Sequence, residues 1–328
     1  MTVLNGIEID AIDYNNNYTK QAIINNDPID DVLHVVAVIS NPALFATRYI
    51  LAKQFLYRLQ QDSNVTVYVV ELAYGKQPYY ITDAKNPRHL QLRTEIPLWH
   101  KENMVNVGIR HLLPSNWKAV AWIDMDVEFE NPSWALDTLK ILNGHKDIVQ
   151  IFSHCIDMDK DESVMQIFNG FGYQYDKKQP YSKNTNNFWH PGYGWAMTRK
   201  AYNRIGGLYE YAILGAGDNI MALSSVSRGM NGINDASTEE YKATVLSYES
   251  KIKLLRIGYV PGVIRHHYHG KKKNRAYGER WRILVDYLYD PLQHITKDAM
   301  GILIPTKTCP PEIISKIREY FYARNEDD

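Results

Sequence analysis

A chain of 328 residues, 45% apolar and 23% charged, is long enough to bury a large core as one extended α/β domain or two ordinary ones. Its 37 Lys and Arg balance 37 Asp and Glu, which excludes a global electrostatic drive toward nucleic acid or anionic membrane, so no nucleic-acid partner is expected. Two cysteines, Cys155 and Cys309, are too few for a disulfide framework; no apolar run reaches a membrane span and the polar N-terminus is unlike a signal peptide, so a cytoplasmic protein without a transmembrane segment is expected.

Residues 1–30 are rich in Asn and Asp and weakly periodic, which predicts an irregular lead with one short hairpin. Residues 32–39 (VLHVVAVI) form a β-branched run that stops at Ser40-Asn41-Pro42, the pattern of a buried parallel strand turning into a helix. Leu44, Leu51, Phe55 and Leu59 then share one helical face, and residues 64–72 (NVTVYVVEL) supply the next strand. This unit lacks the G-x-G-x-x-G turn of a dinucleotide fold and the G-x-x-x-x-G-K-[ST] of a P-loop, which disfavours both of those enzyme classes. Residues 98–113 read as a helix with Val105, Gly108, Ile109 and Leu112 inward.

That helix leads into the apolar run 120–123, which ends abruptly at Asp124 and Asp126. Alternate strand residues share a face, so both acids point the same way at a strand end, where open α/β sheets bind ligands. Divalent cations are often held by one or two such carboxylates, with substrate phosphates completing the shell; an acidic turn is the plain alternative.

A helix over 134–142 and a strand over 147–152 follow, and then an aperiodic, polar and aromatic region, 157–187, expected to be a long mobile loop. Residues 190–230 contain Gly192 and Gly194, a helix over 199–205 closed by Gly206-Gly207, and a Gly215-Ala216-Gly217 turn that sets Asp218 at a helix start. Asp is also a good N-cap, so this spacing alone leaves both roles open. In residues 263–282 (VIRHHYHGKKKNRAYGERWR) three histidines precede a basic run; histidine can complete a metal shell and Lys or Arg can neutralise a diphosphate, while a solvated surface cluster is the plain reading. After Pro310-Pro311 comes an amphipathic helix with Ile313, Ile314, Ile317 and Phe321 inward.

Four blocks in this order, MVNVGI (104–109), WIDMDVEF (122–129), the Gly-rich stretch 192–230 and VIRHHYHGKKKN (263–274), resemble the inverting GT-A glycosyltransferases, in particular the β-1,4-galactosyltransferase family. The resemblance implies a GT-A α/β fold: a mixed, mainly parallel sheet flanked by helices, as a single domain over 31–285, after the lead 1–30 and before a C-terminal extension, 286–328. It implies Mn²⁺ or Mg²⁺ held by Asp126 and His266, with Asp124 nearby at the donor sugar and counted with the metal residues, and His267 and His269 as alternatives. Asp218 is the implied catalytic base. Ser40, Asn41, Lys101, Asn106, Asp124, Lys271 and Lys273 are the candidate donor and nucleotide residues, and Tyr193, Trp195 and Asn219 the candidate acceptor residues. The chain departs from the family in having Gly217 where an acidic residue holds the acceptor, Ala216 in place of a Trp, and Val263 in place of a Met metal ligand.

The implied activity is transfer of a sugar from a nucleotide diphosphate sugar, with UDP favoured, to a glycan or other hydroxyl acceptor. Two alternatives remain at this level. A sugar nucleotidyltransferase shares the architecture but calls for a glycine-rich basic loop after the first strand, which Ser40-Asn41-Pro42-Ala43 is not. A catalytically silent nucleotide- or sugar-binding protein would not need both acids, His266 and Asp218.

Overall fold

The computed structural model describes residues 2–4, 7–9, 17, 20, 24, 32–143, 145–181 and 188–328. Strands β1 (Thr2–Leu4) and β2 (Ile7–Ile9) pair antiparallel as the expected short hairpin. The β-branched run becomes β3 (Leu33–Ser40), followed by helix α1 (Ala46–Leu59), β4 (Val65–Tyr74) and β5 (His89–Thr94). Helix α2 (Lys101–Leu112) leads into β6 (Ala119–Ile123), and Asp124 to Asp126 turn the chain into β7 (Val127–Phe129). Next come α3 (Trp134–Leu142), β8 (Ile148–Gln150), β9 (His154–Met158), β10 (Val164–Asn169) and α4 (Phe171–Asp176). Then follow β11 (Gly194–Thr198), α5 (Arg199–Ile205), α6 (Gly217–Ser225), α7 (Glu239–Ile252), β12 (Ile257–Tyr259) and β13 (Val263–His266). The chain closes with α8 (Trp281–Asp286), α9 (Pro291–His294), the pair β14 (Ile295–Lys297) and β15 (Leu303–Pro305), and α10 (Pro311–Ala323).

The large sheet has the order β12-β8-β11-β6-β3-β4-β5. All its pairings are parallel except those of β11, which runs antiparallel between β8 and β6. Strand β6 is therefore central, as its all-apolar sequence implies, but parallel to only one neighbour. Alternation along β3 sends Val36 to a hydrophobic cluster with Met104, Val105 and Val107 of α2, and Val35, Ala37 and Ile39 to a cluster with Phe55 of α1 and Leu139 of α3. Helices thus cover both faces, which is the expected mixed, mainly parallel α/β architecture. Ile313, Ile317 and Phe321 of α10 join the α2-side cluster, so residues 286–328 share the core with the rest of the chain.

A second sheet, of order β10-β9-β13-β7, is not foreshadowed by the sequence. It replaces much of the expected loop 157–187 with a β9-β10 hairpin and α4; residues 182–187 lie outside the described set. Its outer strand β10 is exposed along most of its length, so its sequence carries no apolar alternation to betray it. Helix α1 begins two residues later than the leucine spacing implies, because Leu44 sits in a turn at φ 58° with 45% of its surface exposed. Among the described residues no helix is long and apolar enough to cross a membrane.

Candidate active site

The two sheets meet at Asp124-Met125-Asp126, the crossover from the large to the small sheet. Backbone bonds fix this turn: Asp124 N donates to Tyr193 O at 2.7 Å and His267 N donates to Asp126 O at 2.8 Å. The register of the small sheet places His266 opposite Val127 on one side and Asp157 on the other. Asp126 is thereby brought beside a histidine 140 residues further along the chain.

Asp126, His266 and His269 each offer one ligand atom, all within 4.8 Å of one another. Asp126 Oδ2 lies 3.0 Å from His269 Nε2 and 3.8 Å from His266 Nε2. Asp126 Oδ1 is buried and has no hydrogen-bond partner among the described residues, an arrangement disfavoured unless something positive approaches it. Asp157 binds His266 Nδ1 at 2.5 Å, which fixes the tautomer that leaves Nε2 as a ligand. Burial alone raises a carboxyl pKa, but His266 and His269 hold Asp126 below the usual carboxylate range. One carboxylate oxygen and two imidazole nitrogens suit a divalent transition metal, so of the two expected ions they fit Mn²⁺ better than Mg²⁺, which prefers oxygen ligands.

Asp124 points elsewhere and forms an ion pair with Lys101 of α2. Burial works against the Lys101 ammonium, yet Asp124, Asp218 and Glu102 together raise its pKa. Lys101 therefore sits electrostatically between the acidic turn and Asp218. Asp218 is in the first turn of α6, whose N-cap position belongs to Ala216, so its side chain is not the helix cap; Oδ1 accepts from Asn219 N at 2.7 Å. Asp124, Asp126, His266, Lys101, Ser40, Tyr193 and Asp218 all line one cleft. Two residues on its rim, Tyr193 (φ 76°) and Ala216 (φ 74°), hold left-handed backbone conformations that are unfavourable for non-glycine residues, a form of strain concentrated at functional sites. Tyr193 lies beside the candidate ligand group, its ring 4.7 Å from that of His266.

Other expected residues are placed away from the cleft. Trp195 is 1% exposed in the inserted strand β11 and donates to Pro191 O, because a central strand buries both faces. Asn106 is also buried, and it satisfies the loop after α5 by donating to Leu208 O and accepting from Leu208 N. Neither is available to donor or acceptor. Asn41 closes its own turn through Phe45, and Asn219 is not among the cleft-lining residues. Lys271 and Lys273 are exposed, Lys271 pairing with Asp328, whereas Lys272 pairs with Asp157. His267 turns outward to Glu128.

Beyond the inward face of α10, the sequence carries no sign of the C-terminal wall. Phe321 stacks on Trp99 at 6.3 Å, and Arg324 lies 5.4 Å over the same indole. Glu326, 2% exposed, pairs with Arg48 and Arg324 and lies 3.7 Å from His269 Nδ1, while Asp327 accepts from Ala46 N and Thr47 N at the start of α1. Arg275 donates to His269 Nε2 at 2.9 Å. The last residues thus back the Asp126–His266–His269 group. Replacing Glu326 with Ala strands two guanidinium groups, and a fall in stability on the order of 3 kcal/mol is expected by chemical denaturation; a loss below about 1 kcal/mol would mark the tail as peripheral.

Gly217 also has a reason in the structure. A Cβ there would fall 2.5 Å from Cδ of Glu102, so the Glu102 carboxyl fills the space beside Asp218 that a side chain at 217 would need. Burial pushes Glu102 up to about 7, with Asp218 adding to the rise and Lys101 opposing it. A raised folded-state pKa means that the folded chain binds the extra proton, so stability present below pH 4.5 is lost as pH rises toward 7. The loss is about 3 kcal/mol by pH 8. Glu102→Gln keeps the neutral form, and its denaturation free energy is expected to lack this slope between pH 5 and pH 8.

No family model matches the chain, and no curated protein matches it. Among solved structures, the catalytic domain of Drosophila beta1,4galactosyltransferase 7, in complex with xylobiose, is similar over 87% of this chain and 98% of that one, at TM-score 0.40 and 8% identity. Staphylococcus aureus TarS 1-349 is similar over 79% of this chain and 66% of that one, at TM-score 0.39 and 12% identity. A putative nucleotide-diphospho-sugar transferase from Desulfovibrio desulfuricans G20 is similar over 71% and 81%, at TM-score 0.33 and 9% identity. These likenesses are of overall fold alone.

Proposed function

We propose that this chain is a metal-dependent glycosyltransferase that moves a sugar from a nucleotide diphosphate sugar, with UDP favoured, to an acceptor hydroxyl, inverting the anomeric carbon. One observation carries the reading: a three-residue ligand group, Asp126, His266 and His269, and a separate carboxylate, Asp218, line the same cleft at the strand ends of an α/β sheet. Those three residues would hold Mn²⁺ or Mg²⁺, and two imidazoles beside one carboxylate favour Mn²⁺. The bound ion would supply Lewis-acid neutralisation of the departing diphosphate.

Around it, Arg275 and Arg48 provide fixed positive charge for phosphate oxygens, and Glu326 orients Arg48. Ser40 ends β3 and Asp124 follows its parallel neighbour β6, and both are assigned to hydroxyls of the nucleotide sugar. Lys101 holds Asp124 in place. Asp218 takes the proton of the attacking hydroxyl as the new bond forms, and direct displacement requires it on the face opposite the leaving group.

The reading is tested by thermal melting with nucleotides, because a ligand that binds only the folded chain raises its apparent stability. UDP with Mn²⁺ is expected to raise the midpoint and UDP with a chelator is not. Mn²⁺-dependent release of sugar from a UDP-sugar then separates an enzyme from a binding protein. Stabilisation indifferent to both metal and nucleotide would sink the proposal.

A further inference from the structure

Most charged groups at the cleft have a partner of opposite sign. Lys101 has Asp124, and Arg48 and Arg324 share Glu326. Arg280 does not. It is 7% exposed, lines the cleft, and meets no carboxylate among the described residues; Nη1 donates to Tyr320 Oη at 2.9 Å, and the guanidinium lies 5.1 Å over the Tyr277 ring. Tyr320 cannot compensate a full charge, since it also accepts from Arg324 at 3.0 Å. A guanidinium removed from water without a counter-charge is costly, and its planar fork matches phosphate and carboxylate oxygens.

Position decides which anion it meets. Gly215, at φ 90°, opens the turn that delivers Asp218, and a Cβ there would lie 3.2 Å from both Arg280 Nη1 and the Trp99 ring. Trp99 Nε1 is itself buried without an acceptor among the described residues. Arg280 therefore borders the turn carrying the proposed base, while the guanidinium beside the ligand group is Arg275. The donor diphosphate, with two negative charges, has the divalent ion and Arg275 to meet it.

We infer that the Trp99–Arg280 corner is an anion subsite, and that the acceptor brought to Asp218 carries a phosphate or carboxylate group. This rests on the glycosyltransferase reading of the cleft. Hydrogen bonds to a charged group are each worth about tenfold to a hundredfold in affinity.

The test is titration calorimetry of glucose 6-phosphate and of glucose into the full chain presaturated with UDP and Mn²⁺. The phosphate is expected to bind at least about tenfold more tightly than the neutral sugar, and Arg280→Gln to erase most of that difference while UDP affinity stays within about twofold. Equal binding of the two sugars by the unmutated chain, a comparison that needs no variant to fold, would overturn the inference. So would a preference that survives in Arg280→Gln, or a matching loss of UDP affinity, which would hand Arg280 to the donor diphosphate. Failure of UDP and Mn²⁺ to bind at all removes the glycosyltransferase reading, and with it the acceptor role, and is seen separately in the presaturation step.

Discussion

Asp218→Asn is expected to fold, to bind UDP and Mn²⁺ nearly as the unmutated chain does, and to lose about 10²- to 10⁴-fold in transfer rate. An acceptor hydroxyl is a weak nucleophile at neutral pH, and a carboxylate that takes its proton as the bond forms removes that part of the barrier. Asn keeps the shape and can still accept from Asn219 N, so the first turn of α6 survives. The position of Ala216 as the helix cap strengthens the test, because no capping bond is lost with the charge. Steady-state rates, with nucleotide affinity measured alongside, check the expectation. Near-normal turnover, or a product that keeps the donor's anomeric configuration, would remove Asp218 from the role.

The second large effect is expected at Asp126. Asp126→Asn removes the carboxylate of the ligand group and leaves two imidazoles to hold a dication. Residues that merely orient metal ligands cost about 10- to 100-fold in metal affinity when lost, so a direct ligand is expected to cost more than about a hundredfold. Nucleotide affinity is expected to fall with it, since in the proposed arrangement the diphosphate completes the metal's shell. Unchanged Mn²⁺ affinity in this variant, by calorimetry, would place the ion elsewhere.

How much of this was legible in the sequence depended on the kind of signal each element carried. The runs that became β3, β4 and β6 were readable because a strand buried on both faces must be continuously apolar, and Asp124 and Asp126 stood out by interrupting one. The inserted strand β11 is not readable: Gly192 and Gly194, either side of Tyr193, imitate an open loop, so the sequence places Trp195 at the acceptor when it is core. Asn106 misled for a related reason, since a polar residue on a helix serves a backbone loop as readily as a ligand. His269 was visible only as a neighbour of His266. Arg48 and Glu326, 278 residues apart, carry no shared pattern that could announce their pairing.

Pulsed electron paramagnetic resonance of the Mn²⁺-loaded chain with UDP reads whether Asp126, His266 and His269 are the ligands, as proposed. Coupling from imidazole nitrogen and from nucleotide phosphorus on the same ion is predicted, with the nitrogen signal reduced in His266→Ala and in His269→Ala. A bound Mn²⁺ that shows phosphorus but no histidine nitrogen, or one whose nitrogen signal is indifferent to both substitutions, would contradict that assignment.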